Sequence, residues 1–519
     1  MKFDNIIIVG GGSAGWMTAA TLIKTFPNKN ITVIESPNVP IVGVGESTLA
    51  FIKQWTKYLE IDDKEFLSGT NGIYKLSIKF TDFYKKGEAF HYPFGRVDLE
   101  GTNNNLNDWW YKKSFYPETP NSDYAESMFP IMSLVNNNKL FYNENQELPE
   151  FNFAKDTAYH FDAVKFGAWL KDNYCLPRGV NHIQEDIVKI PTDENGVKCL
   201  VTKNDSYYAD LYVDCTGFKA LLLDKTLKEP FESLEGMLPN NKAWAVRMPY
   251  IDKEKELKPY TNCTALGNGW VWNIPLWNRV GTGYVYSDKY TSDEEALKEF
   301  KTHLNRKDVD ELEFRNITMR TGIHKRLFVK NVVGIGLAAG FIEPLESNGL
   351  YTVHEFLMYL VKNLQREKIS QWDKDNYTFQ CKKTFRNFAE FVGLHYALSH
   401  RDDTEYWRDH MNRQWSDNLI TLTPKLTQGY LAAAIDRNDF HFFPDGGLHC
   451  ISAGMNWGPT DKTSLLYHTF SYEQEFKNKY KYFIDRLQTR KDEWNKIVEN
   501  KPSYINFLKD NIYNENSTS

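Results

Sequence analysis

Ile6-Ile7-Ile8-Val9-Gly10-Gly11-Gly12-Ser13-Ala14-Gly15 is followed by a helical run from Trp16 to Phe26 and a second β-branched run, Ile31 to Glu35. A strand, a glycine turn, a helix and a strand in that order predict a βαβ unit. Gly10, Gly12 and Gly15 supply the G-x-G-x-x-G spacing, with Ser13 and Ala14 opening the helix: a tight turn, close backbone approach to a pyrophosphate, and close packing of helix on strand. The N–H groups at the start of that helix face the phosphates. Glu35 ends the second strand twenty residues beyond Gly15, where an acid accepts a ribose hydroxyl. The opening therefore predicts an α/β, doubly wound domain that binds a dinucleotide.

Composition sets the surroundings of that domain. At 519 residues the chain exceeds the size at which one core keeps growing, so two or three subdomains and a cleft between them are expected. Aromatic residues make up 15%, enough to line a pocket for a flat ligand as well as to fill a core. The 62 basic and 68 acidic residues leave a net charge of -6, which offers no attraction for nucleic acid or an anionic membrane. Six cysteines lie far apart with no C-x-x-C pair, so neither a metal site nor a disulfide framework is expected, and a reducing cytosol fits best. No apolar run reaches the length of a membrane span and no cleavable signal pattern precedes Ile6, so a cytoplasmic protein is expected.

Two later segments bear on which dinucleotide binds. Leu211-Tyr212-Val213-Asp214 runs into Cys215-Thr216-Gly217, and a strand expected from Asn331 to Leu337 runs into Ala338-Ala339-Gly340. Both resemble nucleotide-contacting segments of FAD-dependent monooxygenases, and each alone is also an ordinary buried strand and turn. Residues 89 to 150 are rich in Asn, Pro and aromatics without clear periodicity, so loops across 84–150 are expected over the cleft. Residues 223 to 320 mix strand patterns such as Gly281 to Tyr286 with a helix at Asp293 to Leu304, which Ser292 and Glu295 cap; this predicts a β-sheet roofing the cofactor. From Leu350 the pattern turns helical over 350–365, 373–398, 418–433 and 461–497. The expected organisation is a core over 1–349 and a mainly helical, substrate-side subdomain over 350–519, with a lid near 436–449.

A lysine stands out in Asn71-Gly72-Ile73-Tyr74-Lys75-Leu76-Ser77-Ile78-Lys79-Phe80. Taken alone, the alternation describes an edge strand with Lys75 and Lys79 on one solvated face. Its company changes that reading. Gly269-Trp270-Val271-Trp272-Asn273-Ile274-Pro275 carries W-x-W-x-I-P, which resembles the flavin-dependent halogenases, particularly the tryptophan-halogenase group. Gly43-Val44-Gly45-Glu46-Ser47-Thr48, Tyr159-His160-Phe161-Asp162, Glu343-Pro344-Leu345-Glu346-Ser347-Asn348-Gly349 and His400-Arg401-Asp402-Asp403-Thr404 extend the resemblance over nearly the whole chain.

The resemblance implies a flavoprotein halogenase. FAD, bound as FADH2, activates dioxygen, halide is oxidised to hypohalous acid, and the acid travels to an electron-rich aromatic substrate of indole or phenol type. By motif matching Lys75 is the catalytic lysine that guides the oxidant, by hydrogen bond or as a chloramine, and Glu346 is the catalytic glutamate that stabilises the cationic ring and takes its proton. Gly45, Glu46, Ser47, Ile187, Leu337 and Leu350 join the glycine loop as implied FAD contacts. Asn348 and Gly349 are the implied halide site, Trp270 and Trp272 a wall beside the flavin, and Phe94 with Asn438, Phe442 and Phe443 the substrate side. The family usually has Thr where this chain has Asn348, His91 is displaced by one position, and Asn438 stands where tryptophan halogenases carry an acid. Free tryptophan is therefore not the expected substrate. No second G-x-G-x-x-G serves a nicotinamide nucleotide, so a separate flavin reductase is the implied partner, with homo-oligomerisation left open. An aromatic hydroxylase of the same fold and a non-catalytic flavin-binding protein are the alternatives.

Overall fold

The computed structural model describes residues 3–39, 43, 45–98, 109–110, 112–114, 116–366, 368–411, 446–458 and 473–514. The expected βαβ unit is present as β1 (Asn5–Val9), α1 (Ser13–Thr25) and β2 (Asn30–Glu35). β1 is central in a six-stranded sheet. Parallel partners flank it: β2 and then β8 (Asn181–Gln184) on one side, Leu211–Asp214 and then Val332–Gly334 on the other, with Phe328–Val329 antiparallel at the edge. Both faces are covered, so β1 reads as an uninterrupted apolar run and not as an alternation. The expected strand from Asn331 is shorter than its pattern, because Gly336 takes φ +66° and turns the chain into a short helical turn, Gly336–Ala338.

The second layer is a seven-stranded sheet ordered Arg315–Thr318, Lys242–Met248, Val280–Tyr286, Gly269–Pro275, Tyr260–Ala265, β5 (Ser77–Thr81) and β6 (Ala89–Pro93). This is the expected roof. The helix Asp293–Leu304 packs beside it, and Ser292 and Glu295 form the capping box at its start. A third sheet of three short antiparallel strands, β3 (Glu46–Ser47), β7 (Ala158–Phe161) and β4 (Ile73–Lys75), joins the two larger ones.

The lysine segment departs from a single alternating strand. β4 and β5 belong to different sheets, and the chain crosses between them at Leu76, whose N–H donates to Pro259 while its carbonyl accepts from Phe94. Lys75 and Lys79 therefore share no face. Lys75 is fully buried, whereas Lys79 is half-buried on β5, which has a partner on each side and is no edge strand.

The described residues of 84–150 are also more than surface loops. Besides β6 they form helices Asp123–Met128 and Ile131–Asn137, and Trp109, Tyr124, Met128 and Leu134 are buried in the main core. Elements of five to seven residues are too short to declare a period.

Helices Gly349–Leu364 and Gln371–Ala397 match the expected helical region, and Glu473–Val498 overlaps the expected 461–497 run and ends one residue beyond it. The 418–433 pattern and most of the expected lid lie outside the described residues. The C-terminus returns to the core: Tyr504 donates its hydroxyl to the Tyr74 carbonyl, and Tyr513 donates to Gly72 and stacks on Trp277. No helix among the described residues is long and apolar enough to cross a membrane.

Candidate active site

The glycine loop is shaped by the protein on one side and open on the other. A Cβ on Gly10 would lie 2.4 Å from the Cys215 carbonyl oxygen, and one on Gly15 would lie 1.9 Å from that of Gly10. A Cβ on Gly12 would meet nothing within 4 Å. Gly12 is the helix N-cap in an extended conformation with no side-chain cap, so the first N–H groups of α1 at Ser13 and Ala14 lack intrahelical acceptors. Glu35 crosses beside the loop, its Oε2 1.5 Å from where a Gly11 Cβ would stand, and its Oε1 pairs with His182 Nε2 at 2.6 Å. An open glycine face, orphan N–H donors and an adjacent carboxylate fit the pyrophosphate and ribose of FAD. Leu337, beside Gly336, is among the exposed apolar residues, while Leu350 is buried in the first turn of its helix and Ile187 packs against the cluster beneath the parallel sheet.

Lys75 lies where the small sheet meets the roof. Its Nζ donates to Ser47 Oγ at 2.9 Å, to the Thr48 carbonyl at 3.0 Å and to Ser347 Oγ at 2.8 Å. All three ammonium hydrogens are thereby used. Burial pushes the Lys75 pKa down to about 7, against the opposing influence of Cys263 and Glu346. The Phe94 ring, itself buried, has its centroid 5.1 Å from Nζ, within cation–π range. Ser47 was expected among the FAD contacts, but its hydroxyl is committed to Lys75, Thr261 and Ser347. Glu46 beside it has its carboxyl pushed up to about 7 by burial and by Asp162, which pairs with Arg279; Gly45 faces Ile274 and Leu276.

Glu346 is fully buried one residue before Ser347, and burial raises its pKa. His395 Nε2 stands 2.9 Å from Glu346 Oε1, but off the hydrogen-bond axis, so both carboxylate oxygens lack a hydrogen-bond partner. His395 Nδ1 lies 3.2 Å from the Val392 carbonyl, which can only accept. Nδ1 therefore carries a hydrogen, and Nε2 is bare unless the ring is an imidazolium. His395 was not among the expected site residues, since a histidine inside a long helix carries no local signal. Phe80, Phe83 and Phe391 surround its ring.

Trp270 is buried and Trp272 half-buried on the strand Gly269–Pro275, with ring centroids 6.2 Å apart. Trp270 Nε1 donates to Glu343, which also accepts from Asn240 and Tyr396. A Cβ on Gly283 would lie 2.3 Å from the Trp272 ring, so glycine there lets that ring lie across the neighbouring strand. Asn348 is buried and turns its amide to the Glu343 carbonyl, leaving any anion contact to backbone N–H groups; Gly349 is exposed and opens the 16-residue helix. Asn438, Phe442 and Phe443 lie outside the described residues.

The tryptophan halogenase family model matches residues 5–470. Tryptophan 6-halogenase SttH of Streptomyces toxytricini is 33% identical over 443 residues, 80% of this chain and 82% of that protein. Its crystal structure superposes with a TM-score of 0.83 over 97% of this chain and 99% of that one, at 30% identity. Tryptophan 7-halogenase RebH of Lentzea aerocolonigenes is 29% identical over 98% of each chain. The apo structure of VirX1 gives a TM-score of 0.90 at 36% identity, covering 99% of this chain and all of that one. With W-x-W-x-I-P on a roofing strand and the lysine and glutamate buried beneath it, the chain belongs to the tryptophan halogenase family of flavin-dependent halogenases.

Proposed function

We propose that the chain halogenates an electron-rich aromatic ring of the indole or phenol type, using halide, dioxygen and FAD that a separate reductase delivers as FADH2. The observation that carries this reading is the pair of fully buried opposite charges, Lys75 and Glu346, which are not within ion-pair distance of each other yet are both held through the turn at Ser347. Burying two unlike charges without pairing them is costly for stability and is common where chemistry uses both.

When bound, reduced FAD supplies the activation of dioxygen that converts halide into hypohalous acid. Gly12, Ser13, Ala14 and Glu35 would hold its pyrophosphate and ribose, and the N–H groups around Asn348 and Gly349 would hold the halide. Trp270 and Trp272 keep the aromatic substrate from the oxidation site, so oxygen is not transferred to the ring. Lys75 receives the hypohalous acid, by turning one of its three ammonium hydrogens from a protein oxygen to the acid or by accepting the halogen on a neutral amine, and directs it toward carbon. Glu346 presents two oxygens free of hydrogen bonds to the positive ring and takes the displaced proton, and its raised pKa makes it a stronger base than a solvated carboxylate. Phe94 packs against the substrate ring beside Lys75.

The test is incubation with FAD, a reductase, NADH, chloride or bromide and a panel of indoles and phenols, read from the isotope pattern of the products. Halogenated product in wild type and none in Glu346→Ala is expected. Hydroxylated products in place of halogenated ones would transfer the assignment to a hydroxylase.

A further inference from the structure

The Tyr159-His160-Phe161-Asp162 motif has no part in the reaction as described so far, yet His160 is fully buried on β7 and its Nε2 lies 2.8 Å from Thr261 Oγ1. Thr261 Oγ1 is 2.6 Å from Ser47 Oγ, which accepts from Lys75 Nζ at 2.9 Å. The joining sheet and the roof both contribute to this line. Ser47 and His160 are cross-strand partners on β3 and β7, Lys75 ends β4, and Thr261 lies on the roof strand that pairs with β5. The whole line is closed to solvent.

Hydrogen-bond direction gives the line a sense. Lys75 can only donate, so the Ser47 hydroxyl accepts from it and has its own hydrogen to pass on. That hydrogen is available to Thr261, whose hydrogen in turn suits a bare Nε2 on His160. Nδ1 then carries the ring hydrogen. It makes no hydrogen bond of standard geometry; burial, and the Lys75 ammonium after it, push the His160 pKa well down and keep the resting ring neutral, with the Pro275 backbone opposing them. The charged and titratable groups that bear on the line are Glu346 and Cys263 at the lysine end and Lys75 itself at the histidine end.

We infer that Ser47, Thr261 and His160 form a proton relay through which Lys75 sheds and recovers one ammonium proton during halogen transfer. The inference rests on the halogenase reading above. In the forward step an N–H bond of Lys75 breaks as an O–H bond forms on Ser47; the Ser47 hydrogen passes to Thr261, and the Thr261 hydrogen forms an N–H bond on His160 Nε2. The products are a neutral Lys75 amine and a His160 imidazolium. The amine lone pair takes the halogen from hypohalous acid as the acid's O–X bond breaks. Hydroxide leaves with that bond and takes one amine proton, giving N-halo lysine and water. Transfer of the halogen to the substrate carbon, with the return of one proton along the relay, leaves Lys75 as the neutral amine and the displaced ring proton on Glu346; passage of that second proton from Glu346 to the amine restores the ammonium and the carboxylate. Repulsion between the two cations is absent in the transferred state, because only one of them is charged at a time. Thr261 and His160 are positioning residues in this scheme and touch neither substrate nor cofactor.

Two measurements test it. The first is the ¹⁵N-histidine spectrum of the flavin-free wild-type protein, which is expected to show neutral His160 with hydrogen on Nδ1 and a bare, hydrogen-bonded Nε2 that shifts in Thr261→Val. Hydrogen on Nε2 reverses the line and overturns the relay, whatever the protein does to aromatic compounds. The second compares Thr261→Val with Thr261→Ser, which restores the hydroxyl. The valine variant is expected to lose at least about tenfold in kcat with KM for the aromatic and FAD affinity unchanged, and with the acid limb of its pH–rate profile displaced, whereas serine recovers most of the rate. Equal rates in the two variants, high or low, overturn the relay. A wild type that halogenates none of the panel while His160 carries hydrogen on Nδ1 overturns the assigned reaction instead, and with it the role in halogen transfer.

Discussion

At the scale of the residue, Lys75 and Lys79 differ by environment and not by chemistry. Lys75→Ala is expected to abolish halogenation while FAD binding and folding persist, because the lysine bonds to Ser47, Thr48 and Ser347 and to no residue of the glycine loop; Lys79→Ala, on a half-buried strand position, is expected to keep most of the activity. Product formation beside flavin retention on a desalting column checks both. Burial of Lys75 also leaves a pH signature. Its folded pKa of about 7 lies below the unfolded value near 10.4, so the unfolded chain binds that proton more tightly. Raising the pH from about 7 towards about 10.4 therefore recovers stability, and below about 7 the full penalty applies, on the order of 4 kcal/mol. Lys75→Met is expected to gain stability relative to wild type at pH 6 and to lose that gain by pH 10, as followed by urea denaturation at both values. A pH-independent difference would mean that Lys75 is not strained by burial.

At the scale of the element, the glycine loop and the tryptophan strand make separate predictions. Gly12→Ala is expected to leave the melting temperature of the flavin-free protein unchanged, since its methyl meets nothing, and to weaken FAD binding by about tenfold or more as that methyl enters the pyrophosphate space. Gly15→Ala is expected to destabilise even the flavin-free protein, because its methyl meets the Gly10 carbonyl. Thermal melts with and without FAD separate the two. The tryptophan strand depends on Glu343, whose oxygens accept from the Asn240 backbone and side chain, Tyr396 and Trp270. Glu343→Gln turns an N–H group toward those donors. The expected loss is about 2 kcal/mol of stability with a change in Trp270 fluorescence, while unaltered fluorescence and melting would show that Trp270 is held by packing alone.

At the scale of the whole molecule, the proposed substrate side combines the buried charges with the helical region. The resemblance implies that Asn438 replaces an acid of the tryptophan halogenases, and on that proposal no carboxylate from that position rewards an amino-acid ammonium. Indole is accordingly expected to be halogenated at least as well as tryptophan, because a desolvated carboxylate facing an ammonium contributes a few kcal/mol of selectivity. A preference of about a hundredfold or more for tryptophan in kcat/KM would place ammonium recognition elsewhere in the chain. Competition between the two substrates in one reaction gives the ratio directly.

The dinucleotide fold was legible in the sequence because its signals are local. Glycines at Gly10, Gly12 and Gly15 are demanded by contacts within one βαβ unit, and Ser292 with Glu295 caps a helix within one turn. W-x-W-x-I-P, Lys75 and Glu346 were likewise legible, as motifs of one family. The alternation around Lys75 was misleading, because period-two patterning assumes a continuous strand and the chain changes sheets at Leu76. Only the tertiary structure decided that Lys75 is buried, that His395 faces Glu346, and that Thr261 and His160 stand in line with Ser47. Those residues come from a helix, a roof strand and a joining sheet far apart in the chain, and a buried polar group is recognised by the partners that packing assembles around it and not by its neighbours in sequence.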